Sequence, residues 1–159
     1  MKKDHWLTNL TIDELNEKIL PKPHKPFEID GIPVFLNVDI KILPNEIFKN
    51  HPQLPLEVSN LGRIRYNGNF LVQFPDMTKA SPYGYLLIRF ENKNHRVYKL
   101  VAEAWCERPD EKTYFIVHHI SNNGMDNRMT NLLWVTEEQH KEIHPSLKNF
   151  RNKGETTRR

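Results

Sequence analysis

Cysteine is all but absent: Cys106 is the only one in 159 residues. That excludes an intramolecular disulfide and any zinc knuckle built from paired cysteines, and leaves packing as the expected role of the thiol. Long apolar runs are missing too. Hydrophobic residues make up 38% of the chain, mean hydropathy is −0.68, and no stretch approaches the roughly 20 apolar residues that a bilayer span needs. The start, MKKDHWLTNLTIDEL, has two lysines with no apolar segment behind them, so it does not read as a secretory signal. A soluble, cytoplasmic protein with no membrane partner is expected. There is no internal repeat and no low-complexity tract, and the length fits one domain of ordinary size, with room for a small appendage.

Excess charge is also slight, at +3 with a pI of about 8.9, which permits nucleic-acid binding without demanding it. Its distribution says more. The end of the chain carries Lys148, Arg151, Lys153, Arg158 and Arg159 against Glu155 alone, and Asn152, Gly154, Thr156 and Thr157 give it nothing to pack. Residues 148–159 therefore read as a basic, disordered tail or a phosphate-tracking arm.

Residues 1–52 read as an accessory segment. Thr11 and Glu14 have the spacing of a capping box, and Ile12, Leu15 and Ile19 recur at helical intervals, so a short helix is expected over 12–20. Pro21, Pro23 and Pro26 stop it. The following PFEIDGIPVFLNVDIKILP contains Asp30-Gly31 and predicts a short hairpin or an extended arm laid on the main body.

From residue 53 to 97 strand candidates follow one another: LEVS (56–59), RIRY (63–66), FLVQF (70–74), YLLIRF (85–90) and RVYKL (96–100). Asn67-Gly68 predicts a tight hairpin between the second and third, and residues 92–94 another between the fourth and fifth. KLVAEAWCE (99–107) predicts a helix with Leu100, Ala104 and Trp105 on one face, ended by Pro109. YFIVH (114–118), an irregular loop rich in asparagine and LLWV (132–135) come next. Thr136 and Gln139 then form a second capping box that opens a helix.

What the chain does have is histidine in one place. Four of its eight fall in VHHISNNGMDNRMTNLLWVTEEQHKEIHP (117–145): the adjacent pair His118 and His119, then His140 and His144 four residues apart on one helical face. Imidazole is both a metal ligand and a base near neutrality. The helical pair and one strand histidine can share an ion. Neighbours in a strand point to opposite sides, so the other strand histidine would face substrate. One such histidine alone is most often an ordinary core or surface residue; four in this arrangement are not.

These residues resemble the HNH nuclease motif in its ββα-metal form, of the phage and intron homing-endonuclease type. The likeness implies His118 as a metal ligand, His119 as catalytic base, and Asn131, in Asn131-Leu132, as the catalytic-loop asparagine that holds His119 in orientation. It also implies His140 as a ligand on the helix, while His144 matches an extra helical histidine of toxin-like members. Upstream, LEVSNLGRIR (56–65) resembles the short DNA-contacting element that often precedes such domains, and YKLVAEAW (98–105) resembles their HRLVAEAF, with Tyr98-Lys99 in place of His-Arg. The likeness covers residues 54–145.

The fold expected is α+β: a ββα-metal nuclease core over 98–147, preceded by a β-rich DNA-contacting element over 53–97 and by the N-terminal helix and arm. The function implied is metal-dependent hydrolysis of phosphodiester bonds in duplex DNA, in a bacterial or phage-infected host cell. Arg63, Arg65 and Arg128 are the expected phosphate contacts; Arg63 and Arg65 alternate on one strand face. The cofactor implied is one divalent ion, Mg²⁺, Mn²⁺, Zn²⁺ or Ni²⁺; nitrogen ligands favour the transition ions. Monomer and homodimer stay open. Two other functions compete: a non-catalytic nucleic-acid-binding module with a closed structural zinc site, and a colicin-like nuclease toxin.

Overall fold

Both expected capping boxes form. In the computed structural model, which describes residues 11–19, 25–76 and 84–143, the Thr11 hydroxyl accepts from Glu14 N and the Glu14 carboxylate from Thr11 N, at 3.2 and 2.8 Å. They open α1 (Ile12–Glu17). The second box, Thr136 with Gln139, opens α3 (Glu137–Ile143). Between them runs α2 (Val97–Trp105). The tail and His144 lie outside the described residues.

The strands are all antiparallel and form four small sheets among the described residues. β1 (Glu28–Ile29) pairs with β2 (Ile32–Pro33) across Asp30-Gly31, the hairpin of the two forms expected there. β3 (Phe48–Asn50), β4 (Glu57–Ser59), β5 (Ile64–Tyr66) and β6 (Asn69–Phe70) form one sheet in that order. β7 (Phe74–Asp76), β8 (Tyr85–Phe90) and β9 (Lys93–Arg96) form the next. β10 (Ile116–His119) and β11 (Leu132–Val135) make the last hairpin. With three α-helices around these sheets among the described residues, the fold is α+β. Among the described residues no helix is long and apolar enough to cross a membrane.

Three expectations need correction. RVYKL (96–100) is not a strand: Glu91 and Asn92 both take positive φ, 53° and 64°, and turn the chain one residue early. β9 is over by Arg96, and Val97, Leu100 and Val101 then bury one helical face at i, i+3 and i+4. FLVQF (70–74) is not one strand, because Phe70 pairs with β5 and Phe74 with β8 while Gln73 crosses between the sheets.

The third correction is Arg63. It is 1% exposed, and its donors are all taken inside the molecule: Nε and Nη2 by the Glu46 carboxylate, Nη1 by the carbonyls of Asn37 and Ile40, and Nη2 again by that of Lys41. A guanidinium has five N–H groups. None is left for a phosphate, so Arg63 anchors the arm to the sheet and is not a DNA contact. It does share a face with Arg65, since both guanidinium groups lie over the Phe70 ring, at 3.9 and 5.8 Å.

Burial follows two main clusters. The larger lies between α2 and the two bigger sheets, with Val58, Ile64, Ile88, Val97 and Val101 at its centre. The other contains Leu15 of α1, Ile120, Leu133 and Val135 of the hairpin region, and Ile143 of α3. β11 is buried along its whole length because Leu132 joins the first cluster while Leu133 and Val135 join the second. Residues before position 52 enter both halves of the body: β3 pairs with β4, and α1 packs on α3 with Asn16 Nδ2 donating to the Glu142 carbonyl at 3.2 Å.

Candidate active site

β10 carries the two adjacent histidines in register with β11, His118 opposite Leu133 and His119 opposite Leu132. Because consecutive side chains of a strand leave on opposite faces, the two imidazoles part. His118, 2% exposed, meets His140 of α3 with ring centroids 5.6 Å apart and planes at 68°. His119, 7% exposed, turns toward β8 and α2. There it stacks on Tyr85 at 5.8 Å and meets the edge of Tyr98 at 5.0 Å.

The capping box places His140. Thr136 N donates to Gln139 Oε1 at 2.9 Å, Gln139 N to Thr136 Oγ1 at 3.1 Å, and His140 N to the Thr136 carbonyl at 2.9 Å, so the first turn rises directly from the end of β11. His118 and His140 are thereby brought together as two imidazole donors at the spacing of rings that can share one ion. Both are nitrogen ligands of the kind transition ions accept. Among the described residues no third histidine, cysteine or carboxylate joins them to form a metal-holding group.

Asn131 braces the loop. Its Oδ1 accepts from Ser121 N at 3.0 Å and its Nδ2 donates to the Asp126 carbonyl at 2.9 Å, which draws the loop from 120 to 131 closed across its neck. The atom that meets His119 is another one: Asn127 Oδ1 lies 2.8 Å from His119 Nε2. Asn127 is one of many loop asparagines, and nothing in its spacing marks it out in the sequence.

Tyr98 was visible only as the residue standing where similar proteins have histidine. Burial pushes its phenol above the ordinary tyrosine range, against the pull of Arg96, so it stays protonated and able to donate near neutrality. Arg96 lies over the Tyr85 ring at 5.2 Å and 3.6 Å from Asp76. His119 thus sits between two tyrosines with a half-exposed cation above them.

The other expected contacts are partly engaged. Arg65 lies over Phe48 at 3.7 Å and pairs with Glu57 at 2.8 Å. Arg128 holds Asp126 through Nε and Nη2 at 2.9 and 2.7 Å and covers the Phe27 ring at 4.0 Å. The Asp126 hydrogen bonds hold the Arg128 pKa above its ordinary value. About a fifth of the Arg65 side chain and a third of that of Arg128 remain exposed.

No family model matches the chain. It is 35% identical over 94 residues to an uncharacterised HNH endonuclease of Acanthamoeba polyphaga mimivirus, across 55% of this chain and 28% of that protein. Its fold is similar to a solved structure described as DNA binding and cleavage by the HNH homing endonuclease I-HmuI. The TM-score is 0.52 with 28% identity, across 64% of this chain and 59% of that one. The chain thus spans less than a third of the first relative's length and about three fifths of the second's.

Proposed function

We propose that the chain is an HNH endonuclease, a reading supported by its similarity in sequence and in fold to such proteins, and that it hydrolyses phosphodiester bonds of duplex DNA, with His119 as general base and one divalent ion. The observation that carries the reading is the division of labour on β10. Two adjacent imidazoles leave on opposite faces, one toward His140 and the other into a tyrosine-lined recess. Chemistry that needs a cation and a base side by side is served by that arrangement.

With the amide oxygen of Asn127 against Nε2, His119 carries its proton there and presents the Nδ1 lone pair. Nδ1 takes a proton from water, the resulting oxygen attacks phosphorus, and the bond to the 3′ oxygen breaks with its electron pair going to that oxygen, which takes a proton from solvent, leaving 5′-phosphate and 3′-hydroxyl ends. His118 and His140 would hold the ion, with His144 as a further ligand. When bound, a divalent ion supplies neutralisation of charge on the scissile phosphate and the departing oxygen. Asn131 keeps the loop in the shape that presents His119. Arg65 and Arg128 supply phosphate contacts.

Incubating the protein with supercoiled plasmid and a panel of divalent ions tests this. Ion-dependent nicking that is lost in His119→Ala, with DNA binding retained, is the expected result. No cleavage with any ion, or cleavage by His119→Ala within a few-fold of the parent, overturns it.

A further inference from the structure

We infer that Asn127 is a positioning residue for His119, and that the turn from Ser59 to Arg63 is the platform that sets it. The inference rests on His119 being the base. A general base acts only if the correct nitrogen carries the lone pair and faces water, and the hydrogen bond made by the other nitrogen decides which one does. In this chain that bond goes to the side chain of Asn127, itself 4% exposed.

Asn127 is in turn seated on Gly62. A Cβ built on Gly62 would lie 3.1 Å from the Asn127 carbonyl oxygen and 3.3 Å from its Cβ, and Gly62 has φ +99°, a conformation that L side chains rarely adopt. Only glycine leaves Asn127 where it is. Ser59 Oγ fixes the turn by accepting from Leu61 N and Arg63 N at 3.1 and 3.0 Å. Asn60 then accepts from Met129 N at 2.9 Å, which ties the turn to the far side of the same loop. Arg63 ends the turn and is locked into Glu46.

The amide orientation has its own support. Gln73 donates Nε2 to the Gly62 carbonyl at 2.7 Å, which commits its Oε1 to the other side. That acceptor and the donor Asn127 Nδ2 are buried atoms without a partner among the described residues, and both side chains line one small cavity beside Phe27 and Leu61. A donor from Asn127 belongs toward that acceptor, and its oxygen toward the histidine. The SNLGR turn thereby has a task inside the molecule: it shapes the catalytic loop from behind.

The competing possibility is that Asn127 merely packs the loop. Four proteins separate the two: the parent, Asn127→Leu, Asn127→Asp and His119→Ala, with the Asn127→Leu/His119→Ala pair as control. Steady-state cleavage of a duplex is measured together with long-range ¹H–¹⁵N correlation of the imidazoles in the full chain. Asn127→Leu is expected to lower kcat about 10- to 100-fold, the scale for a lost outer partner, with KM unchanged. Asn127→Asp keeps an acceptor oxygen and should recover most of the rate. The double variant should be no slower than His119→Ala, and the parent should show His119 protonated on Nε2, a preference that Asn127→Leu loses. If Asn127→Leu keeps kcat within twofold, or the parent spectrum shows the Nδ1-protonated ring, the inference is wrong. Should Asn127→Leu fail to fold, the parent spectrum and Asn127→Asp decide by the same criteria. Normal cleavage by His119→Ala removes the base itself, a failure told apart because the spectrum still reports the Asn127 bond.

Discussion

Arg63 and Glu46 form a two-armed ion pair inside the molecule, with Nε donating to Oε2 at 2.8 Å and Nη2 to Oε1, and with side-chain exposures of 2% and 0%. Glu46 N also donates to the Leu43 carbonyl, and Glu46 Oε1 accepts from Leu43 N at 3.1 Å, so the carboxylate closes a turn as well as an ion pair. Removing one member of a buried pair leaves the other charge without its partner in a low-dielectric place. Glu46→Ala should therefore cost about 3–5 kcal/mol, and Arg63→Ala a similar amount. Urea denaturation of both variants checks this, and a loss under about 1 kcal/mol would show that water reaches the pair.

Arg65, two residues on, is predicted to behave differently. It keeps part of its side chain in solvent and pairs with the half-exposed Glu57 across β4 and β5. Such a pair contributes about 0–1 kcal/mol, so Arg65→Ala should barely change stability. It should instead lower the slope of log affinity for duplex DNA against log salt by about one, which is the signature of one lost phosphate contact. An unchanged slope would take Arg65 out of the interface.

The ion is predicted to depend on His118 and His140 jointly. His140→Ala should weaken binding of Zn²⁺ or Mn²⁺ without unfolding the protein, since α3 is held by Ile143 and its capping box rather than by the imidazole. His118→Asp should move the preference toward Mg²⁺, because a carboxylate oxygen suits that ion better than nitrogen does. Calorimetric titration measures both. Equal affinity in parent and His140→Ala would place the ion elsewhere.

Local signals carried much of the architecture. Both capping boxes, the Asn67-Gly68 turn and the strands 85–90 and 132–135 are written in short stretches whose chemistry needs no distant partner. The β10 alternation is local too, which is why the two histidines could be assigned to opposite faces. What the sequence hid depends on distance along the chain. Arg63 looks like a strand arginine until Glu46, 17 residues earlier, is seen to close on it. Asn127 looks like any loop asparagine until the fold sets it between Gly62 and His119. The RVYKL expectation failed because β-branched and aromatic residues suit a strand, while burial of Val97, Leu100 and Val101 on one side favours a helix.

Cys106 is predicted to be inert. Burial pushes its thiol up to about 11, only partly opposed by Lys49, and Sγ lies 3.7 and 3.6 Å from the carbonyls of Met129 and Leu132. The thiolate is the reactive form. A rise of about two units from the usual value means on the order of 100-fold less thiolate near neutral pH. Alkylation of the native protein at pH 8 should be slower than that of the urea-unfolded chain by at least this factor. The sign also sets a stability trend: the unfolded thiol ionises first, so this group withdraws stability as pH rises through about 9 to 11. Equal alkylation rates in the native and unfolded states would show that the thiol is neither buried nor shifted.

The last prediction concerns α1, which lies outside the motif yet packs on its helix. α1 has six residues, and a helix this short is not stable alone in water. It depends on its contact with the body and with α3: Leu15, 0% exposed, fits among Ile120, Leu133, Val135 and Ile143. Asn16 Nδ2 meanwhile donates to the Glu142 carbonyl of α3, a second tie between the two helices. Leu15→Ala should therefore cost about 2–5 kcal/mol, the range for emptying a leucine site in a packed core. Thr11→Ala, which removes only the cap, should cost about 1 kcal/mol. Because His140 rides on α3, the leucine variant should also bind its ion more weakly at temperatures where the rest of the molecule is still folded, and the cap variant much less so. Denaturation midpoints and calorimetric titration of the two variants measure both effects. A Leu15→Ala protein with the parent's midpoint and ion affinity would mean that α3 stands without α1.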